Sequence, residues 1–156
     1  MKAELDEIDK GILKFLQDNA RTPFAEIARQ LHIGESTVRF RVKRLLDKGV
    51  IVRFMALVNP FKFGLYLTAL LLLKIDPQKL REVFDELSSH EDIHYILQCT
   101  GEYDAVVIFH ARNMDHFNSI VNKVKGVNGI KDASVWMATG FVKIEPRLNI
   151  LKEPNT

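Results

Sequence analysis

The sequence predicts an α+β chain: an N-terminal helix-turn-helix domain, then a C-terminal ferredoxin-like βαββαβ domain with a four-stranded antiparallel sheet. Two observations predict it. Residues 6–48 contain three short segments with apolar residues at helical spacing. After Gly49, apolar runs alternate with two further helical segments in the order strand, helix, strand, strand, helix, strand, the split βαβ pattern. The domains are expected at residues 1–60 and 61–156.

The first helix is expected over 6–18. Asp6 can cap it, Asp9 lies near the positive end of its dipole, and Ile8, Ile12, Leu13 and Leu16 give one apolar face. Thr22-Pro23 opens a second helix, with threonine as cap and proline at the first helical position. Its stripe is Phe24, Ile27, Ala28 and Leu31. His32-Ile33-Gly34 is a three-residue connection, and histidine tolerates positive φ better than most residues. A third helix is expected from Glu35 to Lys48, with Val38, Val42, Leu45 and Leu46 inward. Gly49 ends it where a left-handed residue is needed. Two short helices joined by such a turn, after a supporting helix, form the helix-turn-helix.

Val50 to Val58 reads as a strand or hinge strand, broken by Asn59-Pro60. Leu65–Ile75 is a strongly apolar strand. Asp76-Pro77 opens a helix through Ser89. Strands are expected over Ile93–Thr100 and Tyr103–Ala111, joined by a tight Gly101-Glu102 turn. A helix follows over Asn113–Val124 and a last strand over Ser134–Ile144. Helices cover one face of such a sheet. The apolar residues on both parities of Leu65–Leu73 imply that the other face is also covered, so a dimer is expected.

Hydrophobic residues make up 47% of the chain and charged residues 27%, which excludes disordered and collagen-like classes. The one cysteine, Cys99, excludes an intramolecular disulfide and a cysteine-cluster metal site, and is expected in the core of a buried strand. No apolar stretch approaches the ~20 residues of a membrane helix, and MKAELDEIDK lacks the apolar core of a secretion signal. A cytoplasmic protein is expected. His90, His94, His110 and His116 are irregularly spaced, and no metal site or cofactor is expected from them.

Charge is distributed unevenly. Residues 1–60 carry 11 Lys and Arg against 8 Asp and Glu, and the remainder 11 against 12. Six basic residues fall between Arg39 and Arg53, with Asp47 the one acid among them. With Val38 at 0° on the third helix, Ser36, Phe40 and Lys43 lie within about 40° of the opposite pole. Thr37, Arg41 and Arg44 lie on one flank and Arg39 on the other. Hydroxyls, guanidiniums and a phenyl ring are the groups that contact phosphates and base edges, so a double-stranded DNA partner is expected.

Four segments in order, LDEIDKGILKFLQDNARTPFAEIA, STVRFRVKRLLDKGVI, NPFKFG and TGEYDAVV, resemble the Lrp/AsnC family of feast/famine transcription regulators. The likeness covers about residues 4 to 150. It implies a sequence-specific transcription regulator that binds palindromic promoter DNA as a homodimer. It further implies assembly to a higher oligomer such as an octamer, and response to a small amino-acid effector. The recognition helix would be Glu35–Lys48, and the effector turn Gly101, Glu102, Tyr103 and Asp104. Two segments depart from the family pattern: His32-Ile33-Gly34 stands where Gly-Ile-Ser is usual, and Ala133-Ser134-Val135-Trp136 where a threonine-rich strand start is common. No enzymatic activity is expected. The alternatives are a siroheme decarboxylase-type enzyme on the same architecture and an effector-independent architectural regulator. The four basic residues retained between Arg39 and Arg44 argue against the enzyme.

Overall fold

The structure is a computed structural model and describes residues 4–149. Residues 1–3 and 150–156, the outer ends of the two expected domains, lie outside the described residues. The chain divides into two compact units. One comprises the residues up to Leu57 together with the tail from Ile144, and the other runs from Val58 to Lys143.

The first unit is built on three helices, α1 (Glu7–Asp18), α2 (Phe24–Gln30) and α3 (Glu35–Asp47). Asp6 caps α1 in a capping box: its carboxylate accepts the Asp9 N–H, and the Asp9 carboxylate accepts the Asp6 N–H. The expected threonine cap of α2 is not formed. The Thr22 hydroxyl turns back to donate to the Asn19 carbonyl at 2.7 Å, and Pro23 precedes the helix without a side-chain cap. His32 takes φ +54°, the one positive φ outside glycine among the described residues, and so supplies the bend between α2 and α3. Gly49 at φ +67° lets its own N–H reach the Leu46 carbonyl and the Val50 N–H reach the Leu45 carbonyl. This pair of bonds ends α3 as a Schellman motif.

Ile12, Leu13, Leu16, Ile27, Ala28, Val38, Val42 and Leu45 form the core of this unit. Leu46, expected inward, is exposed. The expected strand over Val50–Val58 is absent. Val50 and Ile51 pack on the helical core, and residues 52–58 are exposed and form no regular element. A strand needs a partner for its N–H and C=O groups, and this segment has none among the described residues. The tail rests on α1: Gln17 donates to the Leu148 carbonyl and accepts the Leu148 N–H, and Arg147 pairs with Asp18 at 2.7 Å.

The second unit holds β1 (Leu67–Ile75), α4 (Leu80–Ser88), β2 (Ile93–Gln98), β3 (Ala105–Ala111), α5 (Met114–Lys125) and β4 (Ile130–Met137). All pairs are antiparallel in the order β2-β3-β1-β4, the expected ferredoxin-like sheet. Asp76 caps the turn into α4 through the Gln78 N–H, and Asn113 caps α5 through the His116 N–H. Leu71, Leu73, Val107 and Phe109 point from the sheet into a core closed by Val83, Leu87, Ile120 and Val124.

The last strand starts and ends earlier than expected. Ile130 already pairs with Ile75, and after the Ala138 N–H donates to the Thr68 carbonyl, β1 offers no further partner. The opposite sheet face is largely apolar. Tyr95, Ile108, Leu70 and Trp136 stand side by side across the four strands, and Leu97, Val106, Leu72 and Ser134 form the next row. Tyr95 is 61% exposed and Trp136 59%, so among the described residues the two outer strands leave this face open to solvent. Thr68 and His110 extend it, joined at 2.8 Å between Oγ1 and Nδ1.

Candidate nucleic-acid interface and effector loop

α3 presents a mixed surface to solvent. Ser36, Phe40 and Lys43 stand at i, i+4 and i+7 and are all exposed. Arg39 is exposed on the flank, where it pairs with Glu35 at 2.9 Å and lies 5.5 Å over the Phe24 ring. Thr37 is half-buried at the start of the helix.

Arg41 and Arg44 are placed differently from their expected DNA-facing role. Both guanidiniums turn back onto α1. Arg41 Nη1 lies 2.5 Å from Asp6 Oδ2 and 3.1 Å from Asp9 Oδ1, and Arg44 Nη2 lies 2.6 Å from Asp9 Oδ2. The Asp9 side chain is 1% exposed. The hydrogen bond from Arg41, aided by the Asp9 backbone N–H, holds the Asp6 carboxyl below the ordinary aspartate range, and the same bond raises the Arg41 pKa. Arg44 Nε is buried and has no hydrogen-bond partner among the described residues. A buried carboxylate needs such cations, because its desolvation is otherwise unpaid.

Sequence reasoning missed Asp9, reading it only as a charge near a helix N-terminus. The signal was its spacing. Asp9, Ile12, Leu13 and Leu16 stand at i, i+3, i+4 and i+7, so the carboxylate shares the core-facing stripe of α1. An acid in that stripe calls for a cation from a facing helix, and α3 has two.

Between β2 and β3 the chain makes a six-residue loop from Cys99 to Asp104 rather than a tight two-residue turn. Asp104 explains the difference. Its N–H donates to the Leu73 carbonyl, its Oδ2 accepts the Ile75 N–H at 2.7 Å, and its carbonyl accepts the Cys99 N–H. The residue is thus tied to the neighbouring strand β1, and the loop bends around it. Gly101 takes φ +123°, a backbone state that side-chain-bearing residues rarely adopt, and its peptide is exposed at the loop tip. Glu102 is exposed, 3.8 Å from Lys74. The Tyr103 hydroxyl is 3.1 Å from Ser134 Oγ, and Lys74 Nζ lies 5.4 Å from the centre of its ring. Ser134 belongs to the segment that departs from the threonine-rich pattern, and it still supplies a hydroxyl at this loop. Cys99 is not in a buried strand: it follows β2, half-buried, and its thiol donates to the Leu97 carbonyl at 3.5 Å.

Among the described residues no group of three or more His, Cys, Asp or Glu side chains is placed to hold a metal ion. No helix among them is long and apolar enough to cross a membrane.

A helix-turn-helix with a polar and aromatic outer face, joined to a ferredoxin-like unit, defines a two-part DNA-binding protein. The comparisons agree. A model described as winged helix-turn-helix DNA-binding matches residues 5–52, and one described as the Lrp/AsnC ligand binding domain matches residues 68–148. The chain is 42% identical over 131 residues to the HTH-type transcriptional regulator Ptr1 of Methanocaldococcus jannaschii, covering 81% of this chain and 88% of that protein. Its fold matches Escherichia coli AsnC with a TM-score of 0.82 at 22% identity, over 91% and 97% of the two chains. It also matches the transcriptional regulator NMB0573 of Neisseria meningitidis, solved as a complex with L-Met, with a TM-score of 0.80 at 24% identity over 93% and 96%. The chain belongs to the Lrp/AsnC family and is a DNA-binding transcription regulator.

Proposed function

We propose that this regulator binds palindromic promoter DNA sequence-specifically as a homodimer and responds to a small amino acid, without catalysis or a cofactor, in the cytoplasm. Residues 1–60 carry DNA binding, and residues 61–156 carry assembly and effector response. The observation that supports this most directly is the outer face of α3. Ser36, Thr37, Arg39, Phe40 and Lys43 reach the groove and its flanking phosphates from there. Arg41 and Arg44 serve the same surface indirectly, by fixing α3 against α1 through Asp9 and Asp6.

Dimerisation covers the rows through Leu70 and Leu72, and dimers associate further into a particle such as an octamer. The effector binds between subunits beside Gly101, Glu102, Tyr103 and Asp104. One Asp104 oxygen is held by the Ile75 N–H, which leaves the other for a ligand ammonium. Exposed N–H groups near Gly101 receive the ligand carboxylate. The L-Met complex of NMB0573 supports an amino acid as the ligand class.

Selection of bound duplexes from a random pool, with and without a mixture of amino acids, tests the reading. A palindromic consensus whose recovery changes with one amino acid is the expected result. Binding without sequence preference would overturn it.

A further inference from the structure

Phe40 is 65% exposed, the most exposed apolar side chain on α3, and it belongs to neither hydrophobic core. Its neighbours on that face are Ser36 and Lys43, both exposed. Two of the three guanidiniums on this helix are turned away from its outer face. Arg41 and Arg44 are held by Asp6 and Asp9, and Arg39 pairs with Glu35 beside the Phe24 ring. A phenyl ring offers no hydrogen bond to a base edge. The apolar feature in the major groove of DNA is the C5 methyl of thymine.

From these observations we infer that Phe40 is a specificity-determining residue that reads a thymine C5 methyl in the major groove. The inference rests on the DNA-binding reading above and narrows it to one base type. Thymine gains contact with the ring. Cytosine is disfavoured twice, because it lacks the methyl and its N4 amino group loses water against the phenyl without gaining an acceptor. Burying one methyl is worth about fourfold in affinity. A two-fold symmetric complex carries the contact in each half-site, so the two together give about fifteenfold.

The experiment uses the full chain and a duplex recovered by selection. Each thymine is replaced in turn by deoxyuracil, which deletes the methyl and leaves the hydrogen-bonding edge intact. At one or two thymines per half-site, the wild type should lose about three- to fivefold. Phe40→Ala should bind the thymine and deoxyuracil duplexes equally at those positions, and Phe40→Leu should keep part of the discrimination. Circular dichroism of both variants should match the wild type, since the side chain is outside the cores. Three results would overturn the inference: no deoxyuracil-sensitive position, a sensitivity that survives in Phe40→Ala, or a change of oligomer mass in Phe40→Ala with the methyl effect intact. Failure to recover any selective duplex would remove the DNA reading as well, whereas selective binding with no Phe40-dependent methyl effect removes this inference alone.

Discussion

Asp9→Ala tests whether the recognition helix is held electrostatically. In the folded chain the Asp9 carboxylate is almost fully buried and receives hydrogen bonds from Arg41 at 3.1 Å and Arg44 at 2.6 Å. Removing one partner of a buried ion pair costs about 3–5 kcal/mol, chiefly because the remaining charge stays desolvated. Two features lower the cost here. Arg41 keeps Asp6, and the Arg44 side chain is 34% exposed, so water can reach it. The expected loss is therefore about 2–3 kcal/mol, which for a unit of this size lowers its melting temperature by roughly 10–20 °C.

Urea denaturation followed by circular dichroism on the full chain measures the loss. A cycle with Arg44→Ala isolates the pair. If the two groups interact as described, the double variant should be more stable than the sum of the single losses predicts, by more than about 1 kcal/mol. The same Arg44→Ala variant separates a structural from a phosphate-binding arginine. A phosphate contact would lower the slope of log affinity against log salt by about 1, and the clamp predicts an unchanged slope once the protein is folded. An Asp9→Ala variant within about 0.5 kcal/mol of wild type, or strictly additive single losses, would refute the clamp.

Lys43→Ala should weaken binding to all duplexes and lower the salt slope by about 1, as read by titration at several salt concentrations; an unchanged slope would remove Lys43 from the interface. Light scattering at micromolar concentration should give at least twice the 17.9 kDa chain mass, and Leu72→Arg, in the middle of the apolar rows, should shift it toward the monomer. His110 has its pKa pushed below 6.5 by burial first and by His94 second. The unfolded chain then binds the proton more readily, so stability is full above about pH 6.5 and falls as pH drops through the folded-state value, a decline that His110→Gln should flatten in denaturation midpoints at pH 7.5 and 5.5. Asp104→Ala should abolish any amino-acid effect on DNA affinity in gel-shift titrations while leaving effector-free binding intact; a retained effect would place the effector elsewhere.

The helices were legible because each carries its own signals. Asp6 caps the first helix as expected, Asn113 caps the helix expected to begin with it, and Gly49 ends α3 in the left-handed state. The ferredoxin-like order was legible for the same reason, since apolar runs, caps and glycines punctuate it locally. Strand limits were not. β4 ends opposite the start of the antiparallel β1, so its end is set by a chain segment some seventy residues away in sequence. Val50–Val58 has the composition of a strand, but a strand is defined by its partner, and composition does not report one.

The same division explains what was read and missed at the candidate sites. A helical projection assigns each residue an angle, and from the angle alone Arg41 and Arg44 lie on a flank open to DNA. Long side chains are not bound to their Cα direction. A guanidinium on a flexible stem reaches whichever anion lies within its arc, and a desolvated carboxylate is a stronger attraction than a solvated one. Asp9 therefore decides where both arginines go, although it sits thirty-odd residues earlier on another helix. Phe40 has no such competitor and remains where the projection puts it, on the outer face. Asp104 follows the arginine pattern: its spacing in Gly-Glu-Tyr-Asp marks a turn, yet its carboxylate is held by the Ile75 N–H of β1. An ionisable side chain is thus placed by the buried groups around it more than by its own position in the sequence. The charges that hold α3 against α1 are those paired across helices, and Asp9 is the one on which two of them converge.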